Sequence, residues 1–156
     1  PALLFAMVLI TLFGPRLSTV TIAIGVVAWT AMARLTRAEF LRIKQLDYVR
    51  AARSAGASNV RIMLKTILPN ALPPIIVAGT LAAGSAILAE ASLSFLGLSD
   101  RNVMSWGLMI GSSRQYLREA WWAVTFPGIA IFLTVLAISL VGDGLNDAFN
   151  PKLRSR

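Results

Sequence analysis

The feature that most restricts what this chain can fold into is the run from residue 75 to residue 98, IIVAGTLAAGSAILAEASLSFLGL, whose one charged side chain is Glu90. A helix crossing the hydrocarbon core of a bilayer needs roughly 20 apolar residues, and this run is long enough. Residues 123–141 form a second such run, residues 18–33 a shorter one, and residues 2–13 one that reads as cut off by the start of the chain; none of the four contains Lys or Arg. Buried helices of a large soluble core are the rival reading. It is disfavoured because only 14% of the residues are charged, against about 25% in an average soluble domain. Gly14-Pro15-Arg16 predicts a tight turn that makes a hairpin of the first two runs. The chain opens at Pro1, with neither the basic region nor the cleavage site of a signal peptide, which reads as a piece of a longer protein.

Charge orients the spans. Of 15 Lys and Arg, eight (Arg34, Arg37, Arg42, Lys44, Arg50, Arg53, Arg61 and Lys65) lie between the second and third runs. Because basic loops stay on the cytoplasmic side, residues 34–65 are placed inside, together with Lys152, Arg154 and Arg156. Arg16, Arg101, Arg114 and Arg118 fall outside, and Trp121 and Trp122 sit where an outer aromatic belt would begin the last span. The absence of Cys and His removes disulfides, Cys/His zinc sites, thiol nucleophiles and His-dependent catalytic triads. No G-x-x-x-x-G-K-[ST] loop occurs either, so this chain does not cradle nucleotide phosphates in that manner. Asp143, Asn146 and Asp147 miss the spacing of a calcium loop and read as a polar helix end.

The loop between the second and third spans reads DYVRAARSAGASNVRIMLKTILPNALPP and predicts two short helices. In the first, Tyr48, Ala51, Ala52 and Ala55 share a face at i, i+3, i+4, i+7, and alanines there allow another surface to come close. Gly56 suits a left-handed stop and Ser58 an N-cap. The second helix has Val60, Met63, Leu64 and Ile67 as its apolar stripe, and Pro69, Pro73 and Pro74 are expected to break the path before the third span. A basic helix pair of this kind also raises a DNA-reading module, but the second helix offers apolar side chains in place of the polar ones that read base edges.

A bent helix pair with a small-residue face is a docking element. Arg50-Ala51-Ala52, then Gly56, then Ile67-Leu68-Pro69 resembles the EAA loop of ABC importer permeases, the segment that inserts into a groove on the ATP-binding subunit. Arg50 stands where that motif has Glu, and Thr66 where it often has Ile. LPNALPPIIV, AEASLSFLGL, Ser105-Trp106-Gly107, FPGIAIFLTVLAISLVGDGL and NPKLR extend the likeness to the dipeptide/oligopeptide/nickel branch. The resemblance implies an all-α polytopic membrane protein of the MetI-like transmembrane type, residues 1–156 being the C-terminal half of one permease domain, with a coupling loop at 47–69 and an external helical excursion near 104–118. It further implies no catalysis and no bound cofactor or metal in this chain, with ATP and Mg on partner subunits. The partners it implies are two ATP-binding subunits, a second permease subunit, an extracytoplasmic solute-binding protein and membrane lipid, without nucleic acid. The location it implies is a bacterial or archaeal cytoplasmic membrane. Tyr48, Arg50, Ala51, Ala52, Ala55, Gly56, Leu68 and Pro69 are the coupling residues by this likeness. A channel or secondary transporter shares the spans and the charge asymmetry but has no need of a docking loop.

Glu90 is read as lying deep in the third span, on a face with Gly79, Ala83, Ala86, Ser94 and Gly97. An ionised carboxylate there requires a partner, water or a cavity. Either this face, with Ser94, borders the translocation path or the permease dimer interface, or Glu90 is a structural acceptor bonded to a neighbouring helix. The topology has a direct check. Single cysteines at Ser58 and Ser112 are expected to show opposite accessibility to an impermeant thiol reagent in intact cells, and equal labelling would overturn the arrangement.

Overall fold

The computed structural model describes residues 2–149, and all its regular elements are helical: α1 Ala2–Phe13, α2 Leu17–Lys44, α3 Asp47–Ser54, α4 Asn59–Phe95, α5 Trp106–Ser113 with a 3-10 turn Arg114–Tyr116, and α6 Trp122–Phe149. Among the described residues α2, α4 and α6 are long and apolar enough to cross a membrane, and α1, with 12 residues, is shorter. Helix is the open-chain structure that satisfies every backbone N–H and C=O without water. Polar side chains on these helices are satisfied in the same way. The hydroxyls of Thr21, Ser85, Ser92, Thr134 and Ser139 each donate to the carbonyl four residues back. The NPKLR tail, with Lys152, Arg154 and Arg156, lies outside the described residues.

The expected break at the prolines does not occur. Pro73 and Pro74 lie inside a helix that continues from Asn59 to Phe95. A proline lacks the N–H its helix expects and crowds the carbonyl four residues back. Here the chain widens into a π turn over Ile62–Ile67, where the Leu68 N–H bonds Met63 O, five residues back, immediately before Pro69. The register has opened before Pro69 has to be accommodated, and the helix continues through Pro73 and Pro74.

The chain forms two compact units. One holds α1, α2 as far as Trp29, α4 from Leu81, α5, and α6 as far as Leu140. Its core is Ala6, Ile10, Val20, Ala23 and Leu93, and α1 turns onto α2 at Gly14, whose φ is 88°. α4 stops in a Schellman motif: Leu98 N–H bonds Leu93 O, Gly97 N–H bonds Ser94 O, Gly97 has φ 80°, and Leu98 packs on the core that contains Leu93. Gly97 is therefore a helix stop and not a member of the small-residue face. That face also differs from the expected one, since Ala83 is exposed whereas the neighbouring Gly84 is buried, with a Cβ position 3.4 Å from Val135 Cγ1 of α6.

Within the same unit α5 lies directly against the backbone of α4. A Cβ at Gly107 would sit 2.6 Å from Ala91 Cα and closer still to its carbonyl oxygen, and one at Gly111 would sit 2.8 Å from Phe95 O. Two glycines four apart thus give α5 a face without side chains, as in G-x-x-x-G packing. Arg114 lies over the Phe95 ring, 5.8 Å from its centroid, and Ser105 caps α5 by accepting the Leu108 N–H at 3.3 Å.

The other unit holds Thr30–Thr80 and α6 from Val141. Its core is Ile43, Val49, Ile62, Ile67 and Ala71, and a Cβ at Gly142 would collide with the Thr80 hydroxyl.

Gly107→Ala places its methyl against backbone atoms that no rotamer change can move. It is expected to lower the thermal unfolding midpoint of the purified transporter, an overpacking loss of roughly 1–3 kcal/mol. Gly128→Ala, where a Cβ meets nothing within 4 Å, is expected to leave the midpoint within error and serves as the control.

Candidate functional site

The loop expected to dock a partner lies wholly within the second unit. α3 carries Asp47 in its first turn and Arg53 in its last, an arrangement that complements the helix dipole. It ends in the same motif as α4: Gly56 N–H bonds Arg53 O at 3.0 Å, Ala57 N–H bonds Ala52 O at 3.2 Å, and Gly56 has φ 79°. Ser58 then starts α4, its Oγ accepting the Arg61 N–H. Both the left-handed stop and the cap fall where the sequence places them.

Packing inverts part of the expected pattern. Val49, 1% exposed, anchors α3 on Ile43, Ile62 and Ile67. Each such aliphatic side chain contributes about 1.5–3 kcal/mol when fully removed from water. Tyr48, Ala51 and Ala55 face outward, and Ala52 is half-buried beside the core. The alanine face is therefore open, held from behind by Val49. On the following helix the expected stripe is corrected: Val60, Met63 and Leu64 are exposed, whereas Ile62 and Ile67 are buried. The reason is the π turn. With bonds reaching five residues back, residues five apart come onto one face, and Ile62 and Ile67 are five apart.

Arg50 makes a 3.6 Å pair with Asp47, but both side chains stand in solvent, so the pair holds little. Leu68 is half-buried and Pro69 exposed. They follow the π turn, and their neighbours Ile67 and Ala71 are the residues in the core. A groove of about 570 Å³ runs beside this core, with Phe40, Leu41 and Met63 as apolar walls and Lys44, Arg53 and Asn59 among its polar lining. Among the described residues no group of three or more His, Cys, Asp or Glu side chains is placed to hold a metal ion.

Glu90 and Ser94 belong to the first unit. Glu90 lies in the last two turns of α4, which ends at Phe95. Ser94, 1% exposed, donates its hydroxyl to Glu90 Oε1 at 2.5 Å. Glu90 Oε1 is thus a hydrogen-bond acceptor within its own helix.

With the loop, the span ends and the helix contacts established, comparison with known proteins decides the family. Residues 1–155 match the model of the binding-protein-dependent transport system inner membrane component. The chain belongs to that family. It is 47% identical over 156 residues to a di/tripeptide transport system permease protein, DppC, of Pseudomonas aeruginosa, covering 99% of this chain and 52% of that protein. It is 47% identical over 155 residues to the dipeptide transport system permease protein DppC of Escherichia coli, with the same coverage. A dipeptide permease of Alkalihalophilus pseudofirmus is 42% identical over 156 residues, 51% of its length. The chain spans about half the length of these relatives. As an inner membrane component with three membrane-length helices, it is a multi-pass protein of the cytoplasmic membrane.

The sequence reading of this inner membrane component missed Gly107, Gly111, Gly84 and Gly142. For the first pair the G-x-x-x-G spacing was a visible signal. Gly84 and Gly142 carried none, because which helix crosses them is a tertiary fact.

Gly56 provides the local test. A Cβ there meets nothing within 4 Å, so the cost of replacement is backbone strain alone. Gly56→Val is expected to destabilise the loop by roughly 1–3 kcal/mol, whereas Gly56→Asn, which tolerates positive φ, loses much less. Faster hydrogen exchange across residues 47–67 in the valine variant only is the predicted readout.

Proposed function

We propose that this chain is a permease subunit of an ATP-driven importer that carries dipeptides, tripeptides or a related small solute across the cytoplasmic membrane, and that residues 47–69 form its coupling loop. The observation that carries the reading is the outward alanine face of α3, backed by Val49 and ended at Gly56, in a chain of the inner membrane component family. Exposed apolar side chains grouped on a soluble loop mark protein contacts. Tyr48, Val60, Met63 and Leu64, each 44% exposed or more, enlarge the face on offer. The peptide assignment is supported by relatives named as dipeptide and di/tripeptide permeases. A channel or secondary transporter would leave such a surface without a use.

In this mechanism ATP and Mg reside on two ATP-binding subunits, a second permease subunit completes the pathway, and an extracytoplasmic binding protein delivers the solute. The loop transmits work only if it binds the open and closed nucleotide dimers with different free energies. The loop is joined to the span without a break in helix, since α4 is continuous from Asn59 to Phe95.

Two measurements test the proposal. In the reconstituted full-length complex with its binding protein, dipeptides are expected to stimulate ATP hydrolysis several-fold and nickel salts not to. Stimulation by nickel alone would move the chain to the metal-carrying side of the branch. Ala51→Asp puts a charge on the exposed face without disturbing the Val49 core. It is expected to reduce co-purification of the ATP-binding subunits while leaving membrane insertion intact, and normal recovery with full transport would remove the loop from the mechanism.

A further inference from the structure

The segment joining α4 to α5 carries an unresolved hydrogen-bonding demand. Ser99 is 7% exposed, and its Oγ has no hydrogen-bond partner among the described residues. It lines a cavity of about 20 Å³ together with Glu90, Asp100 and Ser105, and Leu17, Val20 and Val103 supply the apolar remainder of the wall. The polar groups are partly engaged already. Glu90 Oε1 accepts from Ser94, Asp100 Oδ1 accepts the Asn102 N–H at 3.0 Å, and Ser105 Oγ accepts the Leu108 N–H. Each carboxylate keeps a second oxygen, and no Lys or Arg pairs with Glu90 or Asp100 among the described residues.

We infer that this cavity is a binding site for one ordered water molecule, which accepts from the Ser99 hydroxyl and donates to the carboxylates, fastening the end of α4 to the segment that leads into α5. Size and chemistry select the occupant. A water needs roughly 10–15 Å³ and two to four polar partners, and the cavity provides both. The carboxylates are acceptors and need a donor, whereas the Ser99 O–H also needs an acceptor. A monovalent cation of similar size prefers more oxygen ligands than a space this small presents, whereas water both accepts from the hydroxyl and donates to the carboxylates. The site lies beside the close contact of Gly107 with Ala91 and adds a polar tie where the helices already touch. It gives Glu90 a fixed structural task at the end of its helix.

The test uses the full-length assembled transporter. Ser99→Ala removes the hydroxyl with little change of shape. If that hydroxyl anchors a water, the variant unfolds at a lower temperature than the parent, because the water loses a partner. If it is a bare buried hydroxyl, its removal relieves a desolvation penalty and the midpoint is unchanged or rises, which overturns the inference. A density map of the parent at a resolution that shows waters is expected to contain a peak within hydrogen-bond distance of Ser99 Oγ; its absence overturns the inference even if the variant does not assemble. Replacing sodium and potassium by choline is expected to leave the midpoint in place, and a salt-specific drop would replace water by a cation and equally overturn it.

Discussion

A backbone amide in hydrocarbon has no water to bond, and the organisation of this protein follows from that constraint. Each long helix closes its own hydrogen bonds, and the hydroxyls along it fold back onto carbonyls of the same helix. The difficulty is moved to the helix ends, where the last carbonyls and first amides lose their partners. The chain meets it by the same device twice. Gly56 and Gly97 each take a positive φ, and the N–H groups that follow turn back onto the exposed carbonyls. Ser58 and Ser105 then accept the first amides of the next helices. These junctions hold the loop with the open alanine face and the short helix pressed on the end of α4.

Proline determines the second feature. At Pro69 the backbone has no N–H to give, and the preceding turn has already widened so that Leu68 reaches five residues back. The widening rotates the helix surface. Ile62 and Ile67 come to the core, while Val60, Met63 and Leu64 turn outward beside the face of α3. One local change in hydrogen-bond register thereby stabilises the loop from within and enlarges its exposed apolar surface.

Close approach is the third. Gly107 and Gly111 bring α5 onto the backbone of α4, Gly84 meets Val135, and Gly142 meets Thr80. Between membrane helices the apolar surface gains little from leaving lipid, so packing and hydrogen bonds carry the association. Side-chain-free contacts of this kind bring the most atoms within dispersion range. They also leave small polar residues such as Ser99 enclosed, with their hydrogen bonds to be satisfied locally.

Much of this was legible in the residues themselves. Helical class, the membrane-length runs, the stop at Gly56, the cap at Ser58 and the alanine face of α3 all rest on local chemistry: hydropathy over a turn or a span, a backbone angle that suits glycine, a hydroxyl one turn before an amide; the permease family was legible only as a likeness of motifs. Only the tertiary structure decided which face of the second loop helix is buried, that Pro73 and Pro74 lie within a continuous helix, that Glu90 sits at a helix end bonded to Ser94, and which glycines are crossed by another helix. The helix-wheel reading assumed one angular period throughout, and the π turn changed that period midway. Helix crossings join residues far apart in the chain, such as Thr80 and Gly142, and no pattern within one segment encodes which other segment will lie against it.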